Sequence, residues 1–219
     1  MFTLDAWRRV GQPIVNRPLR VWKTAGMDQG SYLVPPFSIV HLKVVLSLDE
    51  TSAAVVDDEV AVVESEELAA VARQMEQPVI ISTERFGDLM LDRSIGWFFG
   101  TGRWQGNPVR VTLPTDSSLA IDSGLKTAEA LWARVNQWKT KIEKAILSEL
   151  LQLGVDWQEA DEVPLTPERF LSRVTLDSIS LEADGRFEFW YDDGMIFGEH
   201  SIRVWGSLEA GIQGAGIEG

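Results

Sequence analysis

Cysteine is absent from the 219-residue chain, and histidine occurs only twice. The absence of cysteine excludes disulfides, thiolate nucleophiles and cysteine-based zinc sites, and it fits a reducing compartment. No apolar run approaches the roughly 20 residues that a membrane-spanning helix requires. The charged N-terminal residues are also not followed by the apolar run of 7–15 residues that a secretory signal contains. We therefore expect a cytoplasmic protein with no membrane contact.

The sequence also lacks the motifs of the common catalytic classes. It has no nucleophile elbow, Walker loop, dinucleotide fingerprint or zinc motif. Gly100-Thr101-Gly102 is too short for a phosphate-binding loop, and no helix start follows it. No cofactor is predicted, and the interpretation leans away from an enzyme.

The chain has 20 basic residues against 33 acidic ones, which gives a net charge of −13. Repulsion from phosphates argues against nucleic acid as a partner. A basic protein is a more suitable partner, because complementary fields speed association. The alternative is that the acidity only keeps the protein in solution. Residues 1–48 differ from the rest with a net charge of +4, whereas residues 49–76 carry −8.

Residues 1–82 predict a small β-rich unit with one short helix. The segment 39–48 reads as one strand, and 53–63 reads as a strand region split by an acidic turn at 57–59. Ser65 then precedes two glutamates, a typical helix start. Pro78 closes this helix region.

Residues 83–219 predict an α+β domain. Strand patterns and their turns come first, then an apolar stripe at helical spacing from about 119 to 153, ended by Gly154 as a cap. Thr166-Pro167 starts a short helix, and three more strands follow it. The predicted strands are 86–92, 97–104, 109–113, 174–181, 187–191 and 201–208, with turns at Gln105-Gly106-Asn107 and Asp184-Gly185. The strands are thus separated from the helices along the chain. This order predicts an antiparallel sheet packed on one long helix.

Four segments have distinctive, tryptophan-rich motifs: residues 85–98, 127–133, 184–194 and 198–202. They contain an Arg-Phe-Gly run followed by Leu-Asp-Arg and Trp-Phe, and later the Trp-containing run that ends in Asp-Asp-Gly. Together these segments resemble a bacterial domain-of-unknown-function family, number 2262. The resemblance extends from about residue 76 to the end and implies a bacterial protein with no established activity. It also suggests, by analogy with small acidic α+β proteins encoded beside toxin genes, an immunity-type inhibitor.

Two positions depart from that family's pattern. Glu199 stands before His200 where the family usually has a Trp-Gly-His run, and Tyr191 stands where a histidine often follows the Phe-Trp pair. A site that required two histidines is therefore not expected.

An acidic turn near the C-terminus is a candidate metal site. Asp192, Asp193, Glu199 and His200 flank one predicted β-turn, and carboxylates with an imidazole suit a divalent metal or acid–base chemistry. The competing interpretation is an ordinary solvated turn, because Asp and Gly favour turns through local hydrogen bonds. Strand parity further places His200 toward the apolar face unless Gly198 forms a bulge.

Two tryptophan-containing segments are candidate protein-binding sites. Trp190 lies opposite Phe187, Phe189 and Tyr191 on its strand, which predicts a position at the surface or beneath the N-terminal unit. The second candidate is an acidic loop with one tryptophan, which would act as a decoy for a basic partner or be a solvated connection. Its candidate residues are Asp156, Trp157, Glu159, Asp161 and Glu162.

Three functional hypotheses follow from these patterns. The first is a non-catalytic protein-binding module, most concretely an immunity-type inhibitor of a basic toxin. The second is a small metal-assisted hydrolase that uses the acidic turn. The third is a structural or accessory subunit of a larger complex. The sequence does not predict an oligomeric state.

Overall fold

The computed structural model describes residues 2–23, 34–56, 60–115, 120–159, 163–198 and 200–219. The chain divides into two compact units, Met1–Val79 and Ile80–Gly219, called here the N-terminal and C-terminal units. The domain boundary predicted after residue 82 lies three residues further along and stays a prediction.

The N-terminal unit is β-rich, with one helix. Its elements are β1 (Phe2–Leu4), β2 (Leu19–Lys23), β3 (Val40–His41), β4 (Val44–Leu46), β5 (Ser52–Val55), β6 (Ala61–Val62) and α1 (Glu66–Glu76). One sheet has the order β1-β2-β5-β4, and β3 pairs separately with β6. A small apolar core of Trp7, Leu19, Val21, Ala53 and Val55 holds this unit together.

The prediction of one strand from 39 to 48 is wrong. The chain forms β3 and β4 instead, because β3 pairs with β6 while β4 pairs with β5 in a different sheet. The strand region after residue 52 is confirmed on both sides of 57–59, which lie outside the described residues. The helix start is confirmed as well, since the Ser65 side chain accepts a hydrogen bond from the Leu68 N–H.

The C-terminal unit is an eight-stranded sheet with three helices. Its elements are β7 (Ile80–Thr83), β8 (Gly87–Asp92), β9 (Trp97–Trp104), β10 (Asn107–Pro114), α2 (Asp122–Trp132), α3 (Val135–Asp156), α4 (Pro167–Arg173), β11 (Thr175–Leu181), β12 (Arg186–Asp192), β13 (Ser201–Ser207) and β14 (Gly211–Glu218). The strands lie side by side in chain order, from β7 to β14. No helix in the described part of the chain is both long and apolar enough to cross a membrane.

The α+β class is confirmed, but the purely antiparallel sheet is wrong at one pair. Strands β10 and β11 are parallel, whereas the other neighbours in this sheet are antiparallel. The helices α2, α3 and α4 form the connection between β10 and β11, and parallel neighbours need such a crossover. The sheet is therefore two antiparallel meanders joined at its centre through a helical layer.

The prediction of one long helix ended by Gly154 is also wrong. The helix breaks at Ala133 and Arg134. Gly154 lies inside α3, where an added Cβ would come within 2.9 Å of Leu165 and 3.1 Å of Ile196. The glycine therefore serves close packing rather than helix termination.

The two faces of the sheet follow the predicted alternation. Phe187 and Phe189 are buried on the face that meets the helices, where Trp138 packs edge-on against Phe187. Trp190 lies on the opposite face, paired across the strands with Arg203. The prediction that Trp190 faces away from the core phenylalanines is confirmed.

A glutamine at a left-handed turn position gives a first testable prediction. Gln105 and Gly106 join β9 to β10, with φ of 52° and 84°. This is the geometry of a type I′ turn, which prefers Asn-Gly. Replacing Gln105 by Asn should raise the free energy of unfolding by about 0.5–1 kcal/mol, because Asn tolerates this conformation better. Urea denaturation measures the change, and Thr101→Asn, at an exposed position of β9, is the control. A gain as large in the control would contradict the turn explanation.

Candidate functional site

The loop 193–198, between β12 and β13, is organised by one buried carboxylate. The Asp193 side chain is only 2% exposed. Its Oδ1 accepts a hydrogen bond from the Met195 N–H at 2.9 Å, and its Oδ2 accepts one from the Phe197 N–H at 2.6 Å. Because both oxygens bind backbone donors of the same loop, Asp193 fixes the path of the chain there.

Gly194 locks this loop against the end of α4. Its φ is +59°, and an added Cβ would lie 2.4 Å from the Arg173 carbonyl oxygen. The Arg173 side chain donates through Nε and Nη2 to the Gly194 carbonyl, at 3.0 and 2.7 Å. The adjacent Asp192 carboxylate accepts from the Gly194 N–H at 2.8 Å. Gly194 is therefore bonded both to Arg173 at the end of α4 and to Asp192 at the end of β12.

Met195 is an exposed apolar residue in a strained conformation. Its φ is 63°, in the left-handed region that residues other than glycine rarely occupy. Its side chain is nonetheless 61% exposed. Such a conformation persists only where the surroundings impose it, and strained residues of this kind cluster at functional sites. Here Asp193 and Gly194 impose it.

Trp157 joins the end of α3 to the same loop. It is 52% exposed, and its ring packs edge-on against Phe197 at 5.6 Å and His200 at 6.1 Å between ring centroids. The Nδ1 of His200 donates to the Phe197 carbonyl at 2.5 Å. The two segments predicted separately, the acidic loop and the acidic turn, therefore meet in one place.

We use the name Trp157–Met195 surface for the exposed residues of the two segments that these contacts join. They are the apolar residues Trp157, Val163 and Met195 and the carboxylates Asp156 and Glu159. Gln158 connects its parts, because its Nε2 donates to the Val163 carbonyl and its Oε1 accepts from the Leu165 N–H. Two further predicted residues, Asp161 and Glu162, lie outside the described residues.

The predicted metal ligands have mostly structural contacts. Both oxygens of Asp193 and the Nδ1 of His200 bind loop backbone, and Asp192 caps Gly194. No group of three or more histidine or acidic side chains that could hold a metal occurs in the described ranges. Glu199 lies outside those ranges. The metal site stays a prediction, and these contacts do not favour it.

Trp190 lies in a network on the outer face of the sheet. It is half-buried, and its indole N–H donates to Glu188 at 3.2 Å. The Arg203 guanidinium lies 5.7 Å from the Trp190 ring and 5.2 Å from the Trp205 ring, and it pairs with Glu188 and Glu218. Trp190 stays a predicted contact residue, although Trp157 offers more free surface.

Sequence reasoning missed Met195 and Val163. Both follow acidic segments whose pattern predicts a turn or a loop. A single apolar residue in such a segment does not by itself indicate a binding site. The Asp-Asp-Gly run before Met195 does signal a turn. It does not show that the residue after the glycine is also left-handed.

The fold defines an α+β protein in which two joined segments carry exposed apolar and acidic residues. A family model described as "Uncharacterized protein conserved in bacteria (DUF2262)" matches residues 83–217, and the chain belongs to that family. This confirms the resemblance drawn from the sequence. Comparisons with curated proteins and with solved structures gave no match.

Proposed function

We propose that the protein is a protein-binding module and that the Trp157–Met195 surface is its contact site. The observation that supports this most directly is Met195, held exposed in a left-handed conformation by Asp193 and Gly194. Strain and exposure of an apolar side chain are both unfavourable in the free protein. A partner that buried Met195 and Trp157 would gain from a site that needs no rearrangement, which is the advantage of preorganisation.

The proposed partner is a basic protein. Asp156 and Glu159 border the apolar residues, and the whole chain carries a net charge of −13. Long-range attraction would raise the association rate of a basic partner, while the central aromatic and apolar contacts would set its dissociation rate. Tryptophan is among the residues that most often dominate binding energy.

An immunity-type inhibitor is the specific form of this proposal. A small acidic protein that covers the basic active surface of a toxin would act by occlusion and would need no catalytic residue of its own. Such a protein would act in the cytoplasm. An accessory subunit that binds a basic component of a larger complex would use the same surface, and only the partner's identity separates these two roles.

Removing either apolar anchor should weaken capture of the partner. Trp157→Ala and Met195→Ala are each expected to weaken binding by about 2 kcal/mol, or about 30-fold, as for a central contact residue. Crosslinked affinity capture from the native host, quantified by mass spectrometry, identifies proteins bound by the wild type. Titration calorimetry with the purified partner then gives the dissociation constants.

Met90→Ala is the matched control for these variants. Met90 is 56% exposed on β8, so it equals Met195 in type and exposure but lies on the outer face of the sheet. Equal loss of binding in Met90→Ala, or no loss in Met195→Ala, would rule out the proposed surface.

The charge proposal is tested by Glu159→Lys against Glu129→Lys on α2. Only the first should slow association, and the difference should shrink as salt is raised.

A further inference from the structure

A small open pocket of about 280 Å³ lies in the C-terminal unit, beside the β9–β10 hairpin. It is formed by the turn between β7 and β8, by the two strands of the hairpin and by the end of α2. The lining residues are Arg85, Thr101, Gly102, Arg103, Pro108 and Trp132. Pockets for drug-sized molecules usually have roughly 300–1,000 Å³, so this one suits a smaller ligand.

An aromatic cluster gives the pocket a fixed wall. The Trp132 ring packs edge-on against Phe86 and Trp104, each with 5.0 Å between ring centroids. Its indole N–H donates to the Arg103 carbonyl at 2.9 Å, which ties α2 to β9. Gly102 allows this close packing, because an added Cβ would lie 3.0 Å from Phe86 and 3.2 Å from Trp132. The wall is therefore held both by packing and by a hydrogen bond.

The two arginines of the pocket are not neutralised by carboxylates. Within the described residues, Arg85 has no hydrogen bond and no ion pair, and its side chain is exposed. Arg103 is also exposed, and its Nη1 donates to the uncharged Gly106 carbonyl at 2.9 Å. No described acidic side chain lines the pocket, although acids outnumber bases by 22 to 13 in residues 77–219. The pocket is thus a local site of positive charge in an acidic part of the chain.

Two guanidinium groups without a carboxylate partner are suited to a phosphate group. Each planar fork can donate two parallel hydrogen bonds to phosphate oxygens, which a lysine cannot do. The two positive charges together match a phosphate monoester, which carries about −1.5 to −2 near neutral pH. The Thr101 hydroxyl adds a further donor to the lining. Repulsion from distant acidic residues is weak, because charges farther apart than about 8 Å are largely screened at physiological salt.

We propose that this pocket binds the phosphate group of a small molecule. Arg85 and Arg103 would hold the phosphate oxygens, and the organic part would lie beside Pro108 and Trp132. Side chains rather than a backbone loop would make the site, because residues 100–102 belong to strand β9. The site is separate from the Trp157–Met195 surface, none of whose residues lines the pocket.

Phenyl phosphate is the probe for this site, titrated into the full-length protein at constant ionic strength. The amide resonances of Thr101, Gly102 and Arg103 in a two-dimensional spectrum should shift and saturate, and the shifts give the dissociation constant. Arg85→Gln and Arg103→Gln should each weaken binding at least tenfold, because each removes one of the two charged forks. Benzoate has the same ring with a singly charged carboxylate and should bind at least tenfold more weakly than phenyl phosphate.

Inorganic phosphate, titrated in the same way, separates two sources of this chemistry. Weaker binding than phenyl phosphate, through the same two arginines, assigns the pocket to a phosphate ester whose organic part contributes contacts. Binding as tight as that of phenyl phosphate assigns it to the free ion.

Arg169→Gln is the matched control for the arginine variants. Arg169 is exposed in the same unit, and its Nη1 donates to the Pro164 carbonyl at 3.3 Å, much as Arg103 donates to Gly106. It does not line the pocket, so its replacement should leave the affinity for phenyl phosphate unchanged.

Three results would overturn the proposal. They are the lack of a saturable shift at the three amides, binding of benzoate as tight as that of phenyl phosphate, and a loss in Arg169→Gln equal to that in the pocket variants. The amide spectrum of each variant shows whether the fold is intact. If Arg103→Gln disturbs the turn that its guanidinium contacts, Arg85→Gln is sufficient for the test, since Arg85 bonds to no described residue.

Discussion

Replacing Gly194 by alanine is expected to lower the free energy of unfolding by about 2–5 kcal/mol, which combines backbone strain with a steric clash. The φ of +59° makes any side chain unfavourable there. The new Cβ would also stand 2.4 Å from the Arg173 carbonyl oxygen, and 2.9 Å from that residue's carbonyl carbon and Cβ. Backbone atoms cannot rotate away as the end of a side chain does, so α4 and the loop must separate.

Gly198→Ala separates the two contributions. Gly198 has a φ of +71°, but an added Cβ there would meet no described atom within 4 Å. Alanine at this position should therefore cost only the left-handed backbone term, about 1–2 kcal/mol. Guanidinium denaturation of both variants gives the comparison. Equal losses would show that the approach to Arg173 contributes nothing.

The same glycine links stability to the proposed binding site. If the loop moves away from α4, Met195 loses the position that Asp193 and Gly194 impose on it. Gly194→Ala should then weaken partner binding even where the protein remains folded, whereas Gly198→Ala should affect binding less. A variant that loses stability but retains full affinity would show that the orientation of Met195 does not matter to the partner.

The sequence predicts the local structure correctly wherever a few adjacent residues determine the backbone conformation. Ser65 and Thr166 cap their helices as expected, since each accepts a hydrogen bond from a backbone N–H in the first turn. The turns at Gln105-Gly106 and Asp184-Gly185 form the two predicted hairpins. In each case the information lies within four or five residues.

Long-range packing explains the features that were mispredicted. Strand β14 is absent from the predicted strands, yet its Gly214 is needed because an added Cβ would stand 2.4 Å from the Trp205 ring. Gly154 resembles a helix cap but accommodates Leu165 and Ile196. The parallel pairing of β10 with β11 depends on the whole helical connection. No short window of sequence contains these contacts.

The candidate site was predictable in its parts but not in its assembly. Trp157, Asp156 and Glu159 were recognised as one surface, and Asp193 and His200 as another. Their meeting through Phe197 depends on where α3 ends relative to the β12–β13 connection. Strand parity also could not give the role of His200, because it precedes β13, which begins at Ser201.

The second large effect is expected at Asp193, where alanine should lower the free energy of unfolding by about 2–6 kcal/mol. The change leaves the N–H groups of Met195 and Phe197 without their acceptor. The Phe197 side chain is fully buried, so water cannot easily replace the lost bond there. Asp192→Ala, one residue earlier, removes one bond to Gly194 from an exposed carboxylate. It should cost only about 0.5–1.5 kcal/mol.

This pair of variants also separates the structural role of Asp193 from the metal hypothesis. If Asp193 organises the loop, Asp193→Ala loses stability in metal-free buffer, and amide hydrogen exchange at Met195 and Phe197 accelerates. The wild type should then gain no stability from added divalent metals. If the two carboxylates hold a metal, stability should instead rise with metal in the wild type, and both variants should lose that rise equally. The two bonds from the loop backbone to Asp193 favour the first result.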